Sequence, residues 1–218
     1  MLDLKSVYQR LFDYYGPRHW WPADTPFEMA VGAILTQNTN WKNVEQAIGN
    51  LKQANVLDCH SVAGLPVARL EEFIRPSGFF RQKAERLRLF SQHLLDHHQG
   101  SLDILLQQPL NLAREELLSL KGVGPETADS ILLYAGDLPS FVVDAYTGRL
   151  FSRLGVLHGK EKYAEIRDFF MANLPENSEL YNEFHALIVM QCKEHCRKKP
   201  LCETCPLADD CAHQQQNP

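Results

Sequence analysis

Five of the six cysteines in this chain, Cys192, Cys196, Cys202, Cys205 and Cys211, fall within its last 27 residues. The opening MLDLKSVYQR carries an acid and alternating polar residues in place of a cleavable apolar segment, so a reducing, cytoplasmic setting is expected. Clustered thiols in that setting point to metal ligation and not to disulfides. A metal would then dictate how the end of the chain closes. Spacing alone leaves both a zinc site and an iron–sulfur cluster open. Cys59 stands apart, without a partner in the sequence, and is read as an ordinary thiol.

The rest of the chain reads as helices. Leu4, Val7, Tyr8, Leu11 and Tyr15 share one face, and this helix should stop near Gly16-Pro17. Thr25, Pro26 and Glu28 supply an N-cap, a first-turn proline and a capping-box acid ahead of FEMAVGAIL, which is apolar almost all round and therefore central. Further helical faces run through Val44, Ala47, Ile48 and Leu51; through Leu70, Phe73 and Ile74; and through Ala84, Leu87, Phe90 and Leu94. LPSFVVDAY is the one β-branched stretch of note, and one short run builds no sheet. The fold class is therefore all-α. No apolar run reaches the roughly 18 residues a spanning helix needs, so no membrane partner is expected. The polar tail HQQQNP is expected to fray.

REELLSLKGVGPETADSILLYAG reads as a helix, a tight turn at Gly122-Val123-Gly124, and a second helix opened by Pro125. Backbone amides at such a turn, beside a helix N-terminus, can hold a phosphate without positive side chains. That matters because the net charge is −5, which argues against binding nucleic acid by bulk charge. Turn chemistry alone equally allows a plain connection between helices.

LKGVGPETADSILLYAG followed by FVVDAYTGRL resembles the helix-hairpin-helix and catalytic aspartate of the endonuclease III superfamily of DNA glycosylases, with Asp144 standing 18 positions after Glu126. The likeness runs from about Pro26 to Cys211. It implies two helical subdomains flanking a DNA-binding cleft: a six-helix subdomain over 25–137 with the hairpin, and a composite of 1–24 and 138–218 with an iron–sulfur loop at 196–211. It also implies double-stranded DNA with a damaged base as partner, and a monomer. By the same resemblance Asp144 is the catalytic carboxylate, stabilising sugar cation charge and orienting water; without it, Asp144 before AYTGRLFSRLG reads as a helix N-cap. Relatives that also cut the abasic strand carry a lysine two residues after the second hairpin glycine. Here that residue is Glu126, which cannot form an imine, so a monofunctional enzyme is expected. Lys121 lies on the wrong side of the turn to replace it.

Cys196-x5-Cys202-x2-Cys205-x5-Cys211 resembles the family's C-terminal cluster loop, which implies a [4Fe-4S] cluster on those four thiolates. The first interval is one residue short of the usual spacing, and Cys192 is an alternative first ligand. Arg197, Lys198 and Lys199 between the first ligands form a basic loop aimed at phosphate. Gln37 in LTQNTNW matches a residue inserted into the vacated base stack, and Phe79 in RPSGFFRQKA a wedge opposite it. Within the superfamily, HWWPADTPFEMAVGAILTQNTNW resembles the third bacterial type of 3-methyladenine DNA glycosylase, so Trp21, Pro22 and Trp41 are expected to line a base pocket. Aromatic faces suit a cationic alkylated purine. Two departures from that type are the cysteine motif itself and Leu187, where relatives carry a lysine. The expected activity is base excision of alkylated purines, 3-methyladenine above all. The alternatives are an endonuclease III-like glycosylase and lyase for oxidised pyrimidines, and a noncatalytic DNA-binding iron–sulfur protein.

Overall fold

The computed structural model describes residues 3–18 and 20–216. Among these every regular element is helical, and no helix is long and apolar enough to cross a membrane. The described residues divide into two compact units, Trp21–Leu138 and the residues through Trp20 together with those from Pro139 onward. The expected limits of 25 and 137 fall within a few residues of these; positions 1, 2, 19, 217 and 218 of the expected composite lie outside the described residues.

The chain begins with α1 (Leu4–Tyr15), capped by Asp3, whose carboxylate accepts from Ser6 N–H, and ended by Gly16 at φ 68°. Leu4, Val7 and Leu11 are its buried side chains.

The Trp21–Leu138 unit starts with α2 (Pro26–Leu35). Thr25 Oγ1 accepts from Glu28 N–H, and Pro26 occupies the first turn. The Glu28 carboxylate does not close the expected box onto Thr25; it accepts from Asp24 N–H and pairs with Lys52 at 2.6 Å. Residues 28–35 are all buried, which is what a helix with no polar face must do. The unit continues with α3 (Trp41–Gln53), α4 (Cys59–Gly64), α5 (Val67–Ile74), α6 (Phe80–His98), α7 (Leu102–Leu106), α8 (Leu110–Ser119) and α9 (Pro125–Ser130); α3, α6, α7 and α9 pack on α2, and α4, α5 and α8 pack on these. The expected count of six helices is thus too low, the unit having eight α-helices. The two missed, α4 and α7, span six and five residues, too few turns for a 3.6-residue period to register. A second correction concerns the hairpin's far helix, where Ile131–Ala135 winds as a π-helix continuing α9.

In the other unit, Phe141, Val142 and Val143 belong to no regular element and are buried. The Phe141 ring stacks on Phe170 at 4.2 Å and meets Tyr181 and Phe184 edge-on. The β-branched stretch is therefore core filling. It leads into α10 (Ala145–Arg153), followed by α11 (Tyr163–Asn173), α12 (Ser178–Glu194) and α13 (Ala212–Gln216). The last of these corrects the expected frayed tail, because Gln215 N–H donates to Cys211 O and its side chain to Asp209 O; Asn217 and Pro218 lie outside the described residues.

Candidate functional site

Asp144 is the N-cap of α10. Its Oδ1 accepts from Thr147 N–H at 2.8 Å and from Thr147 Oγ1 at 2.9 Å, and Thr147 Oγ1 in turn accepts from Asp144 N–H. Oδ2 is left to face His185 Nε2 at 3.5 Å. Only 14% of the Asp144 side chain is exposed. Burial by itself would raise its carboxyl, but His185 and the two Thr147 donors hold it below the ordinary carboxylate value. Capping and an available ionised oxygen therefore coexist in one residue. His185 was not singled out in the sequence; the signal was a single imidazole inside the apolar run FHALIV of α12. Leu187, two residues on, is fully buried.

Cys196, Cys202, Cys205 and Cys211 line one small cavity. Cys192 is outside its lining, buried, with its thiol donating to Tyr146 O. Four sulfurs around one space, with Arg153 donating to Cys196 Sγ at 3.3 Å and Gln191 to Cys205 Sγ at 3.0 Å, fit a group that binds thiolates and tolerates cationic and amide donors beside them. Arg153 also donates to the carbonyls of Arg197 and Lys198, and Arg149 to that of Cys196. The backbone of the basic loop is thereby fixed while Arg197, Lys198 and Lys199 are exposed.

In the other unit the hairpin turn holds Gly122 at φ +86°, Val123 buried and Gly124 as the exposed N-cap of α9. A Cβ at Gly122 would lie 2.4 Å from Arg86 Nε, so both conformation and close approach require glycine there. Gln37 is tied to this turn. Its Nε2 donates to Gly122 O at 3.0 Å and Thr127 Oγ1 at 2.9 Å, and its Oε1 accepts from Arg86. The two helices are locked by Arg114, bidentate on the fully buried Asp129 at 2.8 and 3.0 Å. Glu126 is exposed in the first turn of α9, and Lys121 pairs with Glu85 at 2.7 Å.

Phe79 is 62% exposed and left-handed at φ 45°, ψ 30°, whereas Phe80 packs against the core under Arg75. A bulky residue in that backbone region is costly, which distinguishes the two phenylalanines that the sequence left equivalent. Beneath this turn Lys83, 1% exposed, donates to Leu35 O at 2.8 Å and Ser77 O at 2.6 Å. One buried amine thus ties the end of α2, which leads to Gln37, to the turn before Phe79. Burial first, then Arg86, pulls Lys83 down to about 8.

Trp21 and Trp41 meet edge-on at 4.7 Å, and Tyr134 of the π-helix lies 5.4 Å from Trp21. All three are partly buried against the core, and Pro22 is exposed. Tyr134 went unnoticed in the sequence because an α-helical register would have turned it elsewhere.

Residues 31–176 match the model of the HhH-GPD superfamily base excision DNA repair protein, and residues 197–211, beginning one residue after Cys196, match the iron-sulfur binding domain of endonuclease III. A Methanocaldococcus jannaschii protein provisionally named a DNA repair glycosylase is 51% identical over 207 residues, 94% of each chain. The Helicobacter pylori 3-methyladenine DNA glycosylase, solved with 1,N6-ethenoadenine, is similar with a TM-score of 0.79 and 33% identity over 88% of this chain and 98% of that one. An endonuclease III–DNA complex superposes with a TM-score of 0.85 over 99% and 98%, at 24% identity, a likeness of fold.

Proposed function

This chain belongs to the HhH-GPD superfamily of base excision DNA repair proteins and carries its iron–sulfur module, and from that premise we propose that it hydrolyses the glycosidic bond of alkylated purines, 3-methyladenine foremost, leaving the strand intact. The observation that carries the reading is the aromatic group of Trp21, Trp41 and Tyr134, with Pro22 exposed beside Trp21. An alkylated purine is cationic, is attracted to such faces, and is already a good leaving group. The enzyme then needs little acid catalysis, and no buried proton donor is required of it. Asp144, kept ionised, supplies the charge that stabilises an oxocarbenium-like sugar and orients or deprotonates the attacking water. His185 holds that carboxylate's second oxygen. The liganded base in the Helicobacter pylori enzyme, an adenine derivative, supports the purine class.

Double-stranded DNA is the partner in this reading. The amides of Gly122 and Gly124 bind phosphate, the turn between them being closed by Val123 N–H on Leu120 O at 3.0 Å, and Phe79, exposed at its turn, is the wedge. Gln37 enters the stack by exchanging its bonds to the hairpin for bonds to DNA. Glu126 in place of an imine-forming lysine supports hydrolysis without strand cleavage. The [4Fe-4S] cluster, on Cys196, Cys202, Cys205 and Cys211, is a structural tie for the loop that presents Arg197, Lys198 and Lys199 to phosphate. The deciding experiment is chromatography of free bases released from methylated duplex DNA. Release of 3-methyladenine by the wild type and none by Asp144→Asn is expected; release of oxidised pyrimidines alone would replace this reading with the endonuclease III-like one.

A further inference from the structure

Remote in the chain from Asp144 and the cysteine loop, the last turns of α6 meet α8 through a convergence of nitrogen and oxygen donors. His93 and His98 aim their Nε2 atoms at the same carboxylate oxygen, Glu116 Oε1, at 2.6 and 2.5 Å. Gln108 Nε2 donates to the other oxygen, Oε2, at 2.6 Å. The ligand atoms of His93, His98 and Glu116 all lie within 4.8 Å of one another. Their side chains are 19, 10 and 22% exposed, sheltered from bulk water yet reachable by a small ion.

We propose that His93, His98 and Glu116 form a binding site for a divalent transition-metal ion of the zinc kind. Two imidazoles and one carboxylate are a donor set that zinc accepts with its fourth position left to water. Zinc bonds of about 2.0–2.1 Å in a tetrahedron hold ligand atoms about 3.3 Å apart. Each nitrogen–oxygen pair therefore has to open by somewhat less than about 1 Å, within reach of side-chain rotation. On binding, the ion replaces the Nε2 protons that donate to Glu116 Oε1; each imidazole then keeps one proton, on Nδ1, and any proton beyond that is released to solvent. Gln108 stays on Oε2 and fixes the carboxylate's orientation, the outer hydrogen bond that metal-bound carboxylates use. The ion would pin α6 to α8, the helix that enters the hairpin turn. The alternative is a plain hydrogen-bonded clamp with no preference for a metal. This site is independent of the base-excision reading and stands or falls separately.

The test is equilibrium dialysis of the cluster-loaded protein against micromolar zinc sulfate, with zinc and iron per chain measured by mass spectrometry. About one zinc per chain is expected with the iron content unchanged. His93→Asn and Glu116→Gln should each weaken zinc binding by at least about tenfold while iron content and circular dichroism stay as in the wild type. Should either variant fold poorly, nitrogen NMR of the wild-type imidazoles decides, because zinc must shift Nε2 of both His93 and His98. The proposal is overturned if zinc does not bind, if it binds equally well to both variants, if it displaces iron, or if those two imidazole signals do not move.

Discussion

Replacing Lys83 with methionine isolates the buried amine that joins the segments leading to Gln37 and Phe79. Methionine keeps an unbranched apolar stem, one atom shorter, and removes both hydrogen bonds. Leu35 and Ser77 are themselves fully buried, so their carbonyls gain no water in exchange. Each unmade buried hydrogen bond costs about 1–3 kcal/mol, and two give a range of about 2–6. Removing a partly desolvated ammonium offsets some of this, which centres the expected loss near about 3 kcal/mol. For a chain of this size that corresponds to a fall in Tm of about 6–12 °C. The pH dependence adds a second signature. The folded-state pKa of Lys83, about 8, is below its unfolded value of about 10.4, so between these values the unfolded chain binds more protons and stability rises with pH. The neutral amine still has two N–H bonds for its two carbonyls. Wild type should therefore gain stability over Lys83→Met as pH rises from 8 towards 10. Urea denaturation at several pH values, with duplex DNA affinity measured at low temperature where the variant is folded, tests both parts. A loss below about 1 kcal/mol with unaltered DNA affinity would refute the argument that these two carbonyls depend on Lys83.

Asp144→Asn should retain duplex binding and lose base release, measured in single turnover, because the amide can still cap α10 but carries no charge. The depressed carboxyl of Asp144 also has a stability consequence: its contribution is present above the unfolded value of about 3.9 and is lost as pH falls through the lower folded value; the acid limb of a denaturation profile should flatten in the variant. Gly122→Ala places a side chain at φ +86° against Arg86; it should cost about 1–2 kcal/mol of stability and weaken DNA binding in a filter or anisotropy assay. Borohydride should trap no covalent complex between the wild-type protein and abasic DNA, and efficient trapping would direct attention to Lys121 and away from simple hydrolysis.

What could be read in the sequence was what local chemistry writes there. Thr25 caps the helix it precedes, and Gly16 ends the first because it alone adopts φ 68° cheaply. The cysteines announced their gathering through spacing. Lys83 did not announce itself, since its partners lie 48 and six residues away and a lysine on a helix looks like a solvated charge. His185 was hidden similarly: α12 packs its apolar neighbours at the same period whether or not one position faces a carboxylate. Arg153 reads as an ordinary basic residue in a helix's last turn, where it satisfies the dipole, and only the folded loop shows its carbonyl and sulfur partners.

The π-helical turn after α9 gives the hairpin's second helix two phases. An extra residue in a helical turn rotates everything beyond it by roughly 100° relative to what came before. Up to Ser130 the helix answers to α8, through Asp129 and Arg114; after it, Tyr134 answers to Trp21. A single rod could not satisfy both directions at this spacing. The insertion works as a coupling with a fixed offset, letting the hairpin turn remain constant while the aromatic end is re-aimed by adding or removing one residue. Deleting a residue there would leave the hairpin whole and turn the tyrosine away from Trp21, so the aromatic group proposed for the base can be rebuilt without any change in the turn.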